Sequence, residues 1–104
     1  DKNMIFLIEY ELDAEKKIDV QTFFANMTDE QIAGEYPPSV KPIGRWHDLP
    51  NGCGTVVVET DDQEALTAWM MGWASMATFP IVRPVVDDTM SRKAIKSMLA
   101  SQQE

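Results

Sequence analysis

The chain has 104 residues, of which 44% are hydrophobic, and this is the length and composition of one compact domain. Its formal net charge is -8, with 9 lysines and arginines against 17 acidic residues, which argues against a nucleic-acid-binding surface. It contains no run of about 18 apolar residues, which argues against a membrane span, and its single cysteine excludes an internal disulfide and fits a cytoplasmic location.

The first third of the chain predicts a strand followed by a helix. Residues 4–10 are rich in Ile, Phe and Leu and end among acidic residues, which is typical of a strand leaving the interior. Asp13 can cap a helix with a loosely periodic apolar stripe that includes Phe24. Thr28 and Gln31 have the spacing of a capping box for a further turn, before two prolines end any helix.

Residues 40–48 and 55–59 predict a β-hairpin. The Asn51-Gly52 pair between them favours the positive φ angles that a tight turn needs. Pro42 indicates that the first strand starts irregularly or lies at a sheet edge. The second strand contains three consecutive valines, so we expect it to be central and buried on at least one face.

The second half of the chain predicts a helix, an edge strand and a terminal helix. Thr60 or Asp61 can cap the first helix. Its apolar face recurs at helical spacing, at Leu66, Trp69, Met70, Trp73 and Ala77. Prolines flank residues 81–83, which predicts that the strand lies at a sheet edge or is irregular. Asp87 or Asp88 can cap a C-terminal helix, whose apolar stripe needs a surface to cover on the same subunit or on a partner.

This order of strands and helices is that of a ferredoxin-like α+β fold with an antiparallel sheet. We therefore expect one domain over residues 1–104, with a core over about 4–88 and a helical extension over about 89–104. Two helices cover only one face of such a sheet, so the other face is most economically buried against the same face of a second copy. We expect a homodimer through the sheet face.

The polar residues of the hairpin are the candidate catalytic group. If side chains alternate, Arg45 and His47 share one face of their strand, while Thr55, Val57 and Glu59 form one row on the neighbouring strand. We expect this mixed face to line a cavity or a subunit interface, because it is poorly suited to lying under a helix.

Two interpretations of this group stay open. In the first, His47 is a general acid or base, since its ordinary pKa suits proton transfer near neutral pH, Arg45 orients an anionic or carbonyl-bearing molecule, and Glu59 sets the tautomer of the histidine. In the second, the same residues form a structural network, in which His47 bonds to Glu59 and Arg45 neutralises Glu59 and Glu9.

The candidate contacts for a bound small molecule are Trp46, Val57 and Arg83. Trp69 and Trp73 have the spacing of a packed helix face, so we expect them in the core. A single histidine, and a Cys53 without a second ligand at suitable spacing, argue against zinc or haem. We therefore expect neither a metal nor a cofactor.

Several segments of the chain resemble the domain of unknown function 3303 family, small bacterial proteins of the dimeric α/β-barrel superfamily. The similar segments are Gly44-Arg45-Trp46-His47, Val58-Glu59-Thr60-Asp61-Asp62, Glu64-Ala65-Leu66 with Trp69 and Trp73, and Pro84-Val85-Val86-Asp87-Asp88. The resemblance implies a ferredoxin-like fold that pairs into a dimeric α/β barrel, and it implies no particular activity.

The function we expect is binding of a small molecule in a cavity on the sheet face. The alternative, implied by the superfamily that the chain resembles, is a cofactor-independent oxygenase or isomerase acting on a small, partly aromatic compound. The expected partners are a second copy of the chain and the small molecule, with no nucleic acid and no membrane.

Overall fold

The computed structural model describes residues 4–102, which form four strands and four helices. In chain order they are β1 (Met4–Leu12), α1 (Lys17–Ala25), α2 (Asp29–Ala33), β2 (Lys41–Asp48), β3 (Cys53–Thr60), α3 (Gln63–Trp73), β4 (Ala77–Val85) and α4 (Asp88–Gln102). No helix in this part of the chain is both long and apolar enough to cross a bilayer.

The four strands form one antiparallel sheet in the order β2-β3-β1-β4. The predicted α+β class and antiparallel sheet are therefore confirmed, and the strand order is compatible with the ferredoxin-like arrangement. β3 is central, as its valines predicted, and the prolines at 42, 80 and 84 all lie on the two edge strands, where a missing N–H is tolerated.

The helix starts follow the predicted capping chemistry at α2 and α4 and depart from it at α1 and α3. The Thr28 hydroxyl accepts from the Gln31 N–H while the Gln31 side chain accepts from the Thr28 N–H, so the predicted capping box is confirmed. At α4 the Asp87 carboxylate accepts from the Met90 N–H, so the predicted cap is confirmed there.

The cap of α3 is Asp62, whose carboxylate accepts from the Ala65 N–H, and not the predicted Thr60 or Asp61. The Thr60 hydroxyl instead donates to the backbone oxygen of Ser39 and accepts from the Asp62 N–H. α1 begins at Lys17 without a side-chain cap.

The hydrophobic core lies on one face of the sheet, under α1 and α3, and we call this the helix face. Ile8 and Val58 are fully buried there, and Leu66 and Trp69 of α3 pack against them. Ala77, predicted on the helical stripe, begins β4 instead, since a backbone hydrogen bond from Met76 to Trp73 closes the turn that ends α3.

The opposite face, which we call the open face, stays half-exposed across the described residues. Leu7 and Val57 pair on this face, with Arg83 beyond Leu7, and none of the three is buried. α4 contains no buried residue either, and the molecule extends over 58 × 27 × 20 Å. The apolar stripe of α4 therefore remains uncovered within the subunit, at Met90, Ile95, Met98 and Leu99.

Candidate functional site

The strand register places Arg45 and His47 on the helix face. Arg45 pairs with Val56, and His47 pairs with Gly54, so these side chains share a face with buried Ile8 and Val58. The expected row of Thr55, Val57 and Glu59 lies on the open face. The prediction of a cavity is confirmed for Arg45 and His47, which both line one. The prediction that the polar face would not lie under a helix is wrong, because the cavity between the sheet and the helices makes room for polar groups.

This cavity has a volume of about 400 Å³ and lies between the sheet and the helices α1 and α3. Its floor comes from all four strands, and its walls come mainly from aromatic and aliphatic side chains of the two helices. Four polar side chains reach it. The lining residues are Tyr10, Leu12, Val20, Gln21, Phe24, Ala25, Arg45, His47, Leu49, Val56, Trp69, Trp73, Ala77 and Phe79.

The outer wall of the cavity is α1, which is anchored to the β2–β3 turn by side chains. Lys17 donates to the backbone oxygen of Pro50 at 2.9 Å, and the Gln21 amide donates to that of Leu49 at 2.9 Å. The turn itself depends on Gly52, whose φ of 67° favours glycine. These bonds fix α1 at the rim of the sheet, so the space beneath Phe24 stays open.

A buried carboxylate behind the cavity holds Arg45 and two tryptophans together. The Arg45 guanidinium donates to both oxygens of Glu35, at 2.8 and 3.1 Å, in a bidentate ion pair. The indole N–H groups of Trp69 and Trp73 donate to the same Glu35 oxygen, each at 3.1 Å. The Glu35 side chain is only 7% exposed, and these four donors replace the water that it loses.

The Arg45 guanidinium also lies over two aromatic rings. Its central carbon lies 5.0 Å from the Phe24 ring centre and 5.5 Å from the Tyr36 ring centre, both within cation–π range. Burial by itself lowers the pKa of Arg45, but the hydrogen bond to Glu35 and the nearby negative charge outweigh it and raise that pKa. Arg45 is therefore a permanently charged group whose charge is matched inside the subunit.

Tyr10 and His47 form the second polar pair, across the intervening Gly54. The Tyr10 hydroxyl lies 2.5 Å from Nδ1 of His47. A Cβ atom at Gly54 would lie 2.4 Å from the backbone oxygen of Trp46 and 2.6 Å from the Tyr10 ring. Only glycine on the central strand therefore allows a residue of β1 to reach a residue of β2.

The environment keeps this pair uncharged near neutral pH. Burial lowers the pKa of His47, and the neighbouring Arg45 charge lowers it further. Burial raises the pKa of the Tyr10 hydroxyl, against a smaller opposing effect of Arg45. With both groups neutral, the Tyr10 hydroxyl donates to Nδ1 in the tautomer whose hydrogen lies on Nε2, and it accepts from Nδ1–H in the other tautomer. The pair can then both donate and accept a hydrogen bond at the cavity wall.

The other predicted site residues lie on the open face and not at the cavity. Glu59 pairs with Lys41 and Ile5, so the subunit does not bring it to His47 or Arg45. Trp46 is 61% exposed, and its indole folds over Gly44, which leaves no room for a side chain there. Trp46, Val57 and Arg83 thus share a surface, separated by the sheet from Arg45 and His47.

Sequence reasoning missed Glu35, Tyr10 and Phe24 as site residues. One signal for Glu35 was present, because Trp69 and Trp73 share a helix face and buried indole N–H groups need an acceptor. That requirement predicts an acceptor near α3 but does not say which acidic residue supplies it. Tyr10 and Phe24 carried no comparable signal, since both fit a strand or helix stripe as ordinary core residues.

No cluster of side chains suited to holding a metal ion occurs among residues 4–102. Cys53 is a free, partly buried thiol whose sulfur lies 3.9 Å from the Asp48 carboxylate. Across the same residues, every buried side-chain nitrogen and oxygen has a hydrogen-bond partner.

The sequence matches one family model, described as Domain of unknown function (DUF3303), over residues 4–99. The match covers every strand and helix up to most of α4. No curated protein and no solved structure matches the chain.

Proposed function

The chain belongs to the family Domain of unknown function (DUF3303), whose description names no activity, and we propose from the cavity that the protein binds a small, largely apolar molecule. The observation that carries this proposal is a cavity of about 400 Å³ with aromatic walls and a few convergent polar groups. Ligand sites in proteins typically have volumes of about 300–1,000 Å³ and this composition.

Two features support binding over a packing defect. First, the cavity is bordered by a fixed polar framework, since Arg45, Glu35 and the two indoles hold one another in place. Second, α1 is tied to the hairpin turn by Lys17 and Gln21, so the helix is held where it stands without filling the space beneath it. A cavity with rigid walls and an available polar pair is suited to one ligand orientation.

A larger side chain at a residue that lines the cavity tests the proposal. Ala25 is exposed and lines the cavity, so Ala25→Phe should fold normally and reduce ligand affinity at least tenfold, measured by calorimetry with naphthol as the probe. Ala68→Phe is the matched control, because Ala68 is also an exposed helical alanine but does not line the cavity. Equal affinities of the two variants would refute binding in this cavity.

The alternative function is that of a cofactor-independent oxygenase or isomerase acting on a small, partly aromatic compound, and the Tyr10–His47 pair favours it. In either tautomer the Nε2 atom of His47 could exchange a proton with a bound molecule while Tyr10 supports the ring. Arg45 would act through Glu35 as part of the framework. Once a turnover assay exists, full activity of His47→Ala would remove this alternative.

We also propose that two copies pair through the open face into a dimeric α/β barrel. The face offers apolar Leu7 and Val57 together with both signs of charge, in Glu59 and Arg83, so identical faces can complement one another. A four-stranded sheet with strands about 4.8 Å apart and about 27 Å long offers roughly 500 Å² per copy.

A second copy also provides a surface for the exposed apolar side chains of α4. Two sheet faces together bury about 1,000 Å², below the roughly 1,200–2,000 Å² of stable interfaces, and a helix about 22 Å long adds roughly 200 Å² per copy. α4 carries Arg92, Lys93 and Lys96 against Asp88 alone, whereas the whole chain has a net charge of -8. A basic helix is thus attracted to the acidic body of a second copy.

A further inference from the structure

On the premise that the cavity binds a small molecule, we infer that it selects an uncharged ligand, with a flat apolar body and one hydrogen-bonding group directed at Tyr10 and His47. The charged residue at the cavity suggests the reverse, an anionic ligand held by Arg45. The contacts of Arg45 exclude that assignment.

The charge of Arg45 is already neutralised by the carboxylate of Glu35. Both terminal nitrogens donate to Glu35, and the guanidinium carbon lies over the Phe24 and Tyr36 rings. A ligand carboxylate would have to displace Glu35 or approach beside it. Displacement would leave Glu35 buried without its cation, and the second course would place two carboxylates against one arginine in an apolar space.

Glu35 is also held independently of Arg45. Its Oε2 accepts from Trp69 and Trp73, which lie one helical turn apart on α3, so the carboxylate cannot turn aside without leaving two indole N–H groups unpaired. The ion pair is therefore a closed, neutral unit in the wall. It shapes the cavity without adding net charge to it.

The remaining polar groups of the cavity are neutral. Gln21 donates its amide to the backbone of Leu49, and Tyr10 bonds to Nδ1 of His47. The lowered pKa of His47 agrees with an uncharged imidazole near neutral pH. A neutral donor or acceptor on the ligand can bond to this pair, whereas a carboxylate or an ammonium would lose its hydration without gaining an opposite charge.

Three ligands with the same ring system test this inference on the wild-type protein by calorimetry near neutral pH: naphthol, naphthoate and naphthylmethylammonium. Naphthol should bind at least tenfold more tightly than either ion. Naphthoate binding as tightly as naphthol, or more tightly, would overturn the selectivity and leave ligand binding intact. Binding of none of the three would refute the cavity's binding function itself, and the selectivity with it.

The Glu35→Gln variant tests the same inference by changing the charge of the cavity wall instead of the charge of the ligand. It removes one negative charge with little change in shape and leaves Arg45 unmatched, so naphthoate should become the preferred ligand of the three. An unchanged preference for naphthol in the folded variant would show that Glu35 does not set the selectivity. If the variant fails to fold, the wild-type ranking still decides the proposal.

Discussion

Glu35 and Arg45 are joined by two hydrogen bonds, of 2.8 and 3.1 Å, although one lies in the irregular segment after α2 and the other in the middle of an edge strand. Their side chains are 7% and 14% exposed. Removing one member of an ion pair this deeply buried lowers the free energy of unfolding strongly, because the remaining charge stays buried without a partner.

Replacing one member should therefore destabilise the fold strongly. For Glu35→Gln we expect a loss of about 3 kcal/mol in the free energy of unfolding, near the lower end for broken buried pairs because Arg45 keeps some contact with water. Urea denaturation followed by circular dichroism measures it. Glu15→Gln, at an exposed site, should change stability by less than about 0.5 kcal/mol. Similar losses in both variants would contradict a structural role for the pair.

Replacing Gly54 by alanine and replacing Gly72 by alanine should have opposite effects on stability. A Cβ at Gly54 meets backbone 2.4 Å away, which cannot move aside, so Gly54→Ala should destabilise by about 1–3 kcal/mol. A Cβ at Gly72 meets nothing within 4 Å and lies in α3, so Gly72→Ala should stabilise by about 0.5–1 kcal/mol. Melting temperatures of the two variants should therefore lie on opposite sides of the wild type.

Gly54→Ala should also separate Tyr10 from His47. The imidazole would then be more hydrated, and its pKa, measured by NMR titration of the ring protons, should rise towards the ordinary value. An unchanged histidine pKa in a folded Gly54→Ala variant would mean that the contact across the strand does not control the ring's environment.

The stability of the protein should depend on pH through His47. Its pKa in the folded protein lies below the ordinary value, so as the pH falls below about 6.5 the unfolded chain takes up a proton before the folded protein does. This contribution to stability is complete above the unfolded-state pKa. It is lost as the pH falls towards the folded-state pKa, and then stays constant.

Comparison with His47→Gln isolates this contribution from the carboxylates that titrate in both proteins. Between about pH 7.5 and about pH 5.5, the wild type should lose more of its free energy of unfolding than the variant does. Parallel stability curves over that interval would be incompatible with a lowered histidine pKa in the folded state.

Pairing through the open face predicts a variant that alters assembly without unfolding the subunit. Val57 is half-exposed there, so Val57→Arg should keep its circular dichroism spectrum while the dimer dissociates to the 11.7 kDa chain, measured by light scattering. Met71→Arg is the control, because Met71 is 67% exposed on α3, on the other side of the sheet. A wild-type protein that stays at 11.7 kDa at micromolar concentration would refute the dimer.

Within the subunit, the partners that the sequence interpretation gave to Arg45 and His47 are wrong, because Glu59 and Glu9 lie on the open face, and the catalytic interpretation stays a prediction. A network closed on itself does form, but between Arg45, Glu35 and the indoles, and it leaves every buried polar atom of the described residues satisfied. A cavity also lies beside His47. The network builds the wall and the Tyr10–His47 pair faces the space.

Local chemistry was enough to predict the elements of this chain. The Thr28 to Gln31 capping box, the Asn51-Gly52 turn and the central valine strand each depend on residues a few positions apart, and each is present. Alternation along a strand also placed Arg45 and His47 together correctly. In all of these cases the interactions that determine the structure lie within one turn or one strand, so the interacting residues are close together in the sequence.

Tertiary structure decided which side chains of neighbouring strands lie on the same face of the sheet. Asp48 pairs with Cys53 around the turn, and this sets Arg45 opposite Val56, on the other side of the sheet from Glu59. A shift of one residue in that pairing would exchange the two faces, and alternation alone does not choose between the registers. Glu35 is a stronger case, because its partners come from β2 and α3 and are brought together only by the packing of the whole domain.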